Sequence, residues 1–332
     1  MKQTDSNSEN LTDDEIEIVI SEEDKENYKR LDQLLNDKIK GYSRSFIQNL
    51  FKKNFIEATN HHKIELKKVP PVGTRVIVQI PPPLPASAKA ENIDLDIIYE
   101  DEHLIFVNKP AGMVTHPAPG NYSGTLVNAL LYHCHDLQGI GDQKRPGIVH
   151  RLDKGTSGVM VVAKTQKCHE GLVLLFSEHK INRIYEALCW GNRLPLKGEV
   201  TSHIGRSAND RKKMALNVKG GKFSHTYYQV IKYYEDFCHA QCKLETGRTH
   251  QIRVHLAQGQ HSPLLMDPTY GNPSDQIKKM KNQKIKALLK DYPHPLLHAK
   301  TLGLKHPITG KEINFDVEPP PIFKKVLELA KS

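Results

Sequence analysis

The sequence predicts an α+β protein, with one large domain behind a small basic one. Three observations predict it. Short apolar runs punctuated by Gly and Pro recur along the chain: Leu104 to Val107, Ile148–Val149, Val159 to Ala163, Tyr185 to Cys189, Tyr227 to Ile231 and Ala240 to Leu244. Helical stretches such as Leu126 to Tyr132 and Glu170 to Phe176 lie between some of them, without the regular strand–helix alternation of a doubly wound sheet. Finally, Pro81, Pro82, Pro83 and Pro85, followed by Ala86 to Ala90, break the chain with a stiff connection. A length of 332 residues leaves room for about two domains.

In order along the chain, residues 1–27 hold ten acids and two lysines. Their one apolar stretch, Ile16 to Ile20, is interrupted by Glu17, so the segment reads as an acidic disordered tail. Residues 28–80 form a compact unit. Leu31, Leu34 and Leu35 recur at helical spacing, as do Phe46, Ile47, Leu50 and Phe51. Gly41 is expected to end the first helix and Ser43 to cap the second, and Arg75 to Ile80 alternates as a strand. This unit carries eleven Lys/Arg against four Asp/Glu, as an RNA-binding head would. A proline-rich linker over 81–93 then leads into a single larger domain over 94–332.

Charge points to the partner. The net is +9, but the first 27 residues carry −8, so the remainder carries +17. A body this basic fits a polyanion, most simply nucleic acid; a merely basic soluble enzyme is the plainer alternative. No apolar run approaches the roughly 20 residues of a membrane helix, and the acidic, polar start is unlike a secretory leader. Five scattered cysteines read as reduced thiols in a cytoplasmic protein. There is no GxGxxG after a strand, no phosphate-loop signature, no HExxH and no GxSxG. Cys238 and Cys242 lack a second matching pair. The chemistry is therefore expected to need side chains alone, with no metal or cofactor.

Four segments carry candidate chemistry. HRLDKGTSG (His150 to Gly158) lies between two apolar runs, and its Asp153 sits between Arg151 and Lys154, cations that favour an ionised carboxylate able to act as nucleophile or base. An Asp capping a turn is the plain alternative. In TGRTHQIRVH (Thr246 to His255), Thr249 could cap a short helix turning Ile252 and Leu256 inward, while Arg248 and Arg253 meet a carboxylate or phosphates. In RIYEAL (Arg183 to Leu188), Tyr185 could stack on a base or simply fill the core. NKPAGMVTHP (Asn108 to Pro117) is a fixed loop whose Lys109 could hold a phosphate or cap the sheet edge.

Together these segments form a pattern. RPGIVHRLDKGTSGVMVVAKT (Arg145 to Thr165) resembles the signature of the RNA pseudouridine synthase family that includes the ribosomal large-subunit synthases. NKPAGMVTHPAPGN (Asn108 to Asn121), NRIYEAL (Asn182 to Leu188), LETGRTHQIRVHLA (Leu244 to Ala257), DPTYG (Asp267 to Gly271) and LHAKTLGLKHPITG (Leu297 to Gly310) extend the likeness over most of the chain. RLDQLL with YSRSFI (Arg30 to Ile47) resembles an S4 RNA-binding domain. One departure is Gly155, where the signature usually has Asp.

The resemblance implies a large mixed, mainly antiparallel sheet flanked by helices, an active cleft across its middle, and an S4-like head. It implies isomerisation of uridine to pseudouridine without cofactor or metal, with large-subunit ribosomal RNA or an assembling subunit as partner, in a cytoplasmic monomer; the alternatives are the same reaction on transfer RNA, or a non-catalytic RNA-binding ribosome-assembly factor. By the same resemblance Asp153 would be the essential carboxylate and Tyr185 would stack on the flipped base. Ile252 would line the base pocket, Arg253 would pair with the carboxylate, and Arg151 would fill the space the nucleotide leaves. Arg30, Arg44, Lys52 and Lys53 of the head would hold phosphates.

Overall fold

A computed structural model describes residues 15–39, 44–52, 54–59, 64–80, 88–118, 120–134, 137, 139–142, 145–210 and 212–331. The chain divides into two compact units, Met1–Ala86 and Ser87–Ser332.

The small unit contains strand β1 (Glu15–Val19), helices α1 (Glu22–Asn27), α2 (Leu31–Lys38) and α3 (Arg44–Lys52), and strands β2 (Ile56–Ala58) and β3 (Arg75–Gln79). The sheet order is β1-β3-β2, antiparallel throughout. This corrects the tail reading for residues 15–27. Ile18 and Ile20 are buried with Leu31, Leu34, Leu35, Val76 and Val78. Between them and α1, Ser21 forms a capping box with Asp24. The acids of Glu15-Ile16-Glu17-Ile18 alternate with core residues, so they mark the outer face of an edge strand rather than disorder. Residues 1–14, and with them the rest of the expected tail, lie outside the described residues, as do Gly41, Ser43 and Lys53.

Asp32 is the electrostatic centre of this unit. Its fully buried carboxylate accepts from Arg30 Nε at 3.0 Å, Arg44 Nη2 at 3.1 Å and Gln48 Nε2 at 2.8 Å. The Arg30 hydrogen bond, with Gln48 and Arg44 behind it, overcomes burial and holds the carboxyl far below the usual range. Arg30 and Arg44 therefore tie α2 to α3 while staying partly exposed, and Lys52 is exposed at the end of α3.

The large unit opens with β4 (Ile97–Glu100), β5 (Leu104–Lys109) and α4 (Leu126–His133), then the short ladder of β6 (Gly141–Asp142) and β7 (Arg145–Pro146). Next come β8 (Ser157–Ala163), α5 (Gln166–Ser177), β9 (Ile181–Trp190), β10 (Lys197–Arg206), β11 (Met214–Ala215), β12 (Lys222–Tyr233) and β13 (Phe237–Leu244). Helix α6 (Gln251–Val254) runs straight into a π-helical turn, His255–Gly259. The chain ends with α7 (Pro273–Lys279), α8 (Gln283–Leu289), β14 (Leu297–Lys305), β15 (Glu312–Asp316) and α9 (Pro321–Leu329).

Ten of these strands make one sheet in the order β11-β10-β12-β13-β9-β14-β8-β5-β4, with β15 also on β14. Every pairing is antiparallel except β8 with β14. The expected mixed, mainly antiparallel sheet is thus present. Strand β8 is buried at all seven positions, which explains its unbroken apolar run. Gly158 makes the parallel seam possible. Its φ is +121°, and a β-carbon there would stand 2.2 Å from the Ala299 carbonyl oxygen, so only glycine lets β14 approach.

Two expectations are corrected here. Ile148–Val149 is no strand but a single bridge from Ile148 to Val162, because Gly147 turns the chain tightly against the Ala163 carbonyl. The linker over 81–93 is not all linker. Residues 81–87 lie outside the described residues, but the Lys89 carbonyl accepts from Asn128 Nδ2 at 2.7 Å and Glu91 N–H donates to the Asn128 carbonyl at 3.0 Å, docking that stretch on α4.

Candidate active site

A cleft of about 600 Å³ opens over the central strands β9, β13 and β14. Five arginines line it, Arg145, Arg151, Arg183, Arg248 and Arg253, around a single carboxylate, Asp153. Four of the five expected cleft residues owe their place to local geometry. Asp153 stands on the loop feeding β8, Tyr185 alternates inward on β9, and Ile252 and Arg253 lie on α6. Arg151 lies on the same loop as Asp153, exposed, with Nη1 3.3 Å from His116 Nε2.

The Asp153 loop is held by backbone contacts on both sides. Thr115 Oγ1 donates to the Leu152 carbonyl at 3.0 Å, Gly112 N–H to the Lys154 carbonyl at 2.7 Å, and Thr156 N–H to the Asp153 carbonyl at 3.0 Å. Gly155 packs so closely that a β-carbon would stand 2.8 Å from Pro295 Cδ, which explains why this chain has no side chain there. Lys109, expected to hold a phosphate or cap the sheet edge, does neither. It is fully buried and donates to the Pro110 and Met113 carbonyls at 3.0 and 2.9 Å. Burial lowers its pKa to about 7, with the Asp153 charge opposing. It shapes the loop on which the Asp153 loop rests.

Arg253 joins the carboxylate to the core. Its Nη1 donates to Asp153 Oδ2 at 3.1 Å. Nε and Nη2 form a fork onto Asp267 at 2.8 Å each, and Nη2 also reaches Thr269 Oγ1 at 2.9 Å. Burial works against the guanidinium, but Asp267 and then Asp153 outweigh it and raise its pKa. Asp267 is fully buried and accepts the backbone N–H groups of Thr269 and Tyr270 at 2.8 and 3.2 Å. Asp267 belongs to the DPTYG motif, and the only sequence signal for its role is an acid two residues before Thr269 at a turn.

Other groups complete the wall. Tyr185 is nearly buried, and burial pushes its phenol up to about 12, Arg183 opposing. Its hydroxyl stays protonated at neutral pH. His250 Nε2 lies 3.9 Å from Asp153 Oδ2, and its Nδ1 2.8 Å from Tyr270 Oη. Burial lowers the pKa of His250, favouring neutral imidazole. Helix α6 is anchored from below by Gln251, bound to Thr226 Oγ1 and the His225 carbonyl, and by His255, within 3.0 Å of Ser202, Ser224 and Thr226 hydroxyls. Thr249 does not cap it. The N-cap is His250, in the left-handed region at φ +58°, with no side-chain cap. Among the described residues one group offers metal-ligand chemistry, Glu100, His133 and Cys134 within 4.8 Å of one another. Glu100 there is already held by Lys164 and His133, and none of the three lines the cleft.

Residues 103–258 match the family model described as RNA pseudouridylate synthase. The chain is 45% identical over 297 residues to ribosomal large subunit pseudouridine synthase D of Zymomonas mobilis, covering 88% of this chain and 90% of that one. It is 37% identical to the synthase D of Pseudomonas aeruginosa, covering 91% and 92%. The solved structure of human RNA pseudouridylate synthase domain containing 4 superposes with a TM-score of 0.56 at 25% identity, over 71% of this chain and 92% of that one. With the sheet, the cleft and these relatives together, the chain belongs to the RNA pseudouridine synthase family and is an isomerase acting on uridine in RNA.

Proposed function

We propose that this enzyme modifies uridines of large-subunit ribosomal RNA, with Asp153 as the essential carboxylate. The observation that carries the reading is the cleft itself, where five arginines surround one carboxylate that Arg253 fixes in place. A phosphate-rich, base-extruded substrate suits that distribution. The curated relatives named for the large ribosomal subunit support the choice of RNA.

In the reaction the N1–C1′ bond breaks, the uracil turns while held, C5 bonds to C1′, and the proton displaced from C5 is balanced by one gained at N1. Asp153 faces the sugar and base. Tyr185, protonated and flat, stacks on the extruded ring, and Ile252 closes the apolar side. Arg151, exposed at the mouth, fills the gap left in the RNA. Excluding water from the cleaved state prevents loss of the base. In the small unit, which we read as S4-like, Arg30, Arg44, Lys52 and Lys53 add phosphate contacts that raise affinity without reading sequence. We read the enzyme as a cytoplasmic monomer. Among the described residues no helix is long and apolar enough to cross a membrane.

Mapping pseudouridine in ribosomal RNA from cells lacking the protein tests this. Specific large-subunit sites should disappear, return with wild type and stay absent with Asp153→Asn. Loss of sites in transfer RNA alone would overturn the ribosomal target, and full rescue by Asp153→Asn would overturn the role of Asp153.

A further inference from the structure

We propose that Arg183 is a phosphate clamp within the cleft, taking the backbone phosphate next to the target uridine. The inference rests on the RNA reading above and adds a residue to it.

Arg183 and Tyr185 are two apart on β9, so both side chains face the cleft, with their β-carbons about 6–7 Å apart. That is close to the span from a nucleotide's base to its own phosphate. A base stacked on Tyr185 therefore brings a phosphate to Arg183.

The state of the guanidinium is the second argument. Arg183 is only 7% exposed. Its one hydrogen bond among the described residues runs from Nη2 to the Glu245 carbonyl at 2.9 Å, and its buried Nε has no partner. It forms no ion pair with a carboxylate among the described residues. Its Cζ lies 5.7 Å from the centre of the Phe176 ring. Arg253 in the same cleft is the opposite case, with three donors committed to Asp153, Asp267 and Thr269. A buried charge left short of partners is costly, and burial here lowers the arginine's pKa. An arriving phosphate supplies the missing acceptors in the bidentate geometry that guanidinium favours.

Space is kept for this side chain. A β-carbon at Gly247 would stand 2.7 Å from Arg183 Nη1. Gly247 and Arg248 line the same cleft as Arg183.

The test is a cycle between the residue and the phosphate. A large-subunit RNA fragment containing a uridine that the wild-type enzyme converts is synthesised in three forms. One has natural phosphates; the others carry a neutral methylphosphonate on the 5′ or the 3′ side of that uridine. Conversion is measured with wild type, Arg183→Gln and Arg183→Lys, and thermal melting checks each fold. Arg183→Gln should lower kcat/KM by about 10- to 100-fold on natural RNA, with Arg183→Lys retaining part of the activity. One methylphosphonate should cost wild type a similar factor and cost Arg183→Gln almost nothing further. Penalties that multiply at both positions would overturn the clamp and leave Arg183 a structural prop. Should wild type convert uridine only in transfer RNA, the ribosomal reading falls, while the same cycle on that RNA still decides the clamp.

Discussion

Asp153 Oδ2 and Arg253 Nη1 lie 3.1 Å apart, and this one hydrogen bond joins segments 100 residues distant in sequence. The carboxylate does not steer the arginine. Asp267 does, through a buried fork that fixes the guanidinium before Asp153 meets its remaining nitrogen. Asp153 thus inherits its position from a residue far behind it.

Asp267→Asn should therefore damage catalysis without touching substrate. The fork loses an acceptor, Arg253 turns, and kcat should fall by about 10²-fold with KM little changed. Steady-state kinetics on an RNA fragment would check this. A normal kcat would show that Arg253 holds its place without the fork.

Lys109 gives a stability signature. Its folded pKa of about 7 lies below the ordinary 10.5, so between these values the unfolded chain binds more protons than the folded one. Stability should rise with pH across that window, by at most about 1.4 kcal/mol per pH unit from this group. Denaturant melts from pH 7 to 10 should show the slope in wild type and a flatter one in Lys109→Met.

His150 and His255 act on the acid side. Burial lowers them to about 3 and about 4, and the Val161 N–H donates to His150 Nε2, which requires a neutral ring. Below the ordinary pKa of 6.5 the unfolded chain takes up protons that the folded one refuses. Stability should therefore fall as pH drops from 6.5 to about 4. His255→Gln should make that acid limb shallower; an unchanged limb would assign it to other groups.

Gly158→Ala should fail at the seam. The added carbon would meet the backbone of Ala299 at 2.2 Å with φ at +121°, and neither strand can yield without losing its ladder. The loss should exceed about 2 kcal/mol, visible as a lowered Tm, whereas Gly120→Ala, with open space around it, should pay only for its left-handed backbone.

Much of this was legible in the residues. Strands β5, β8, β9, β12 and β13 announced themselves as apolar runs, and Asp153, Tyr185 and Arg253 stood in dense motifs. Strand β10 was silent because only one of its faces is buried and its exposed positions are polar. Strand β1 was hidden by its outward acids. The role of Asp267 is not legible because its partner lies 14 positions away, and that of Arg183 because an unsatisfied nitrogen has no sequence signature.

The lone parallel pairing has a consequence for synthesis. Strand β8 carries the Asp153 loop, yet its neighbour β14 starts only at Leu297, long after β8 ends at Ala163. Asp267 also arrives late. A nascent chain still on the ribosome holds Asp153, Tyr185 and Arg253 without the frame that aligns them. Alignment of the three is thus withheld until β14 has been made, and a product truncated before Leu297 would carry the signature motif without its frame.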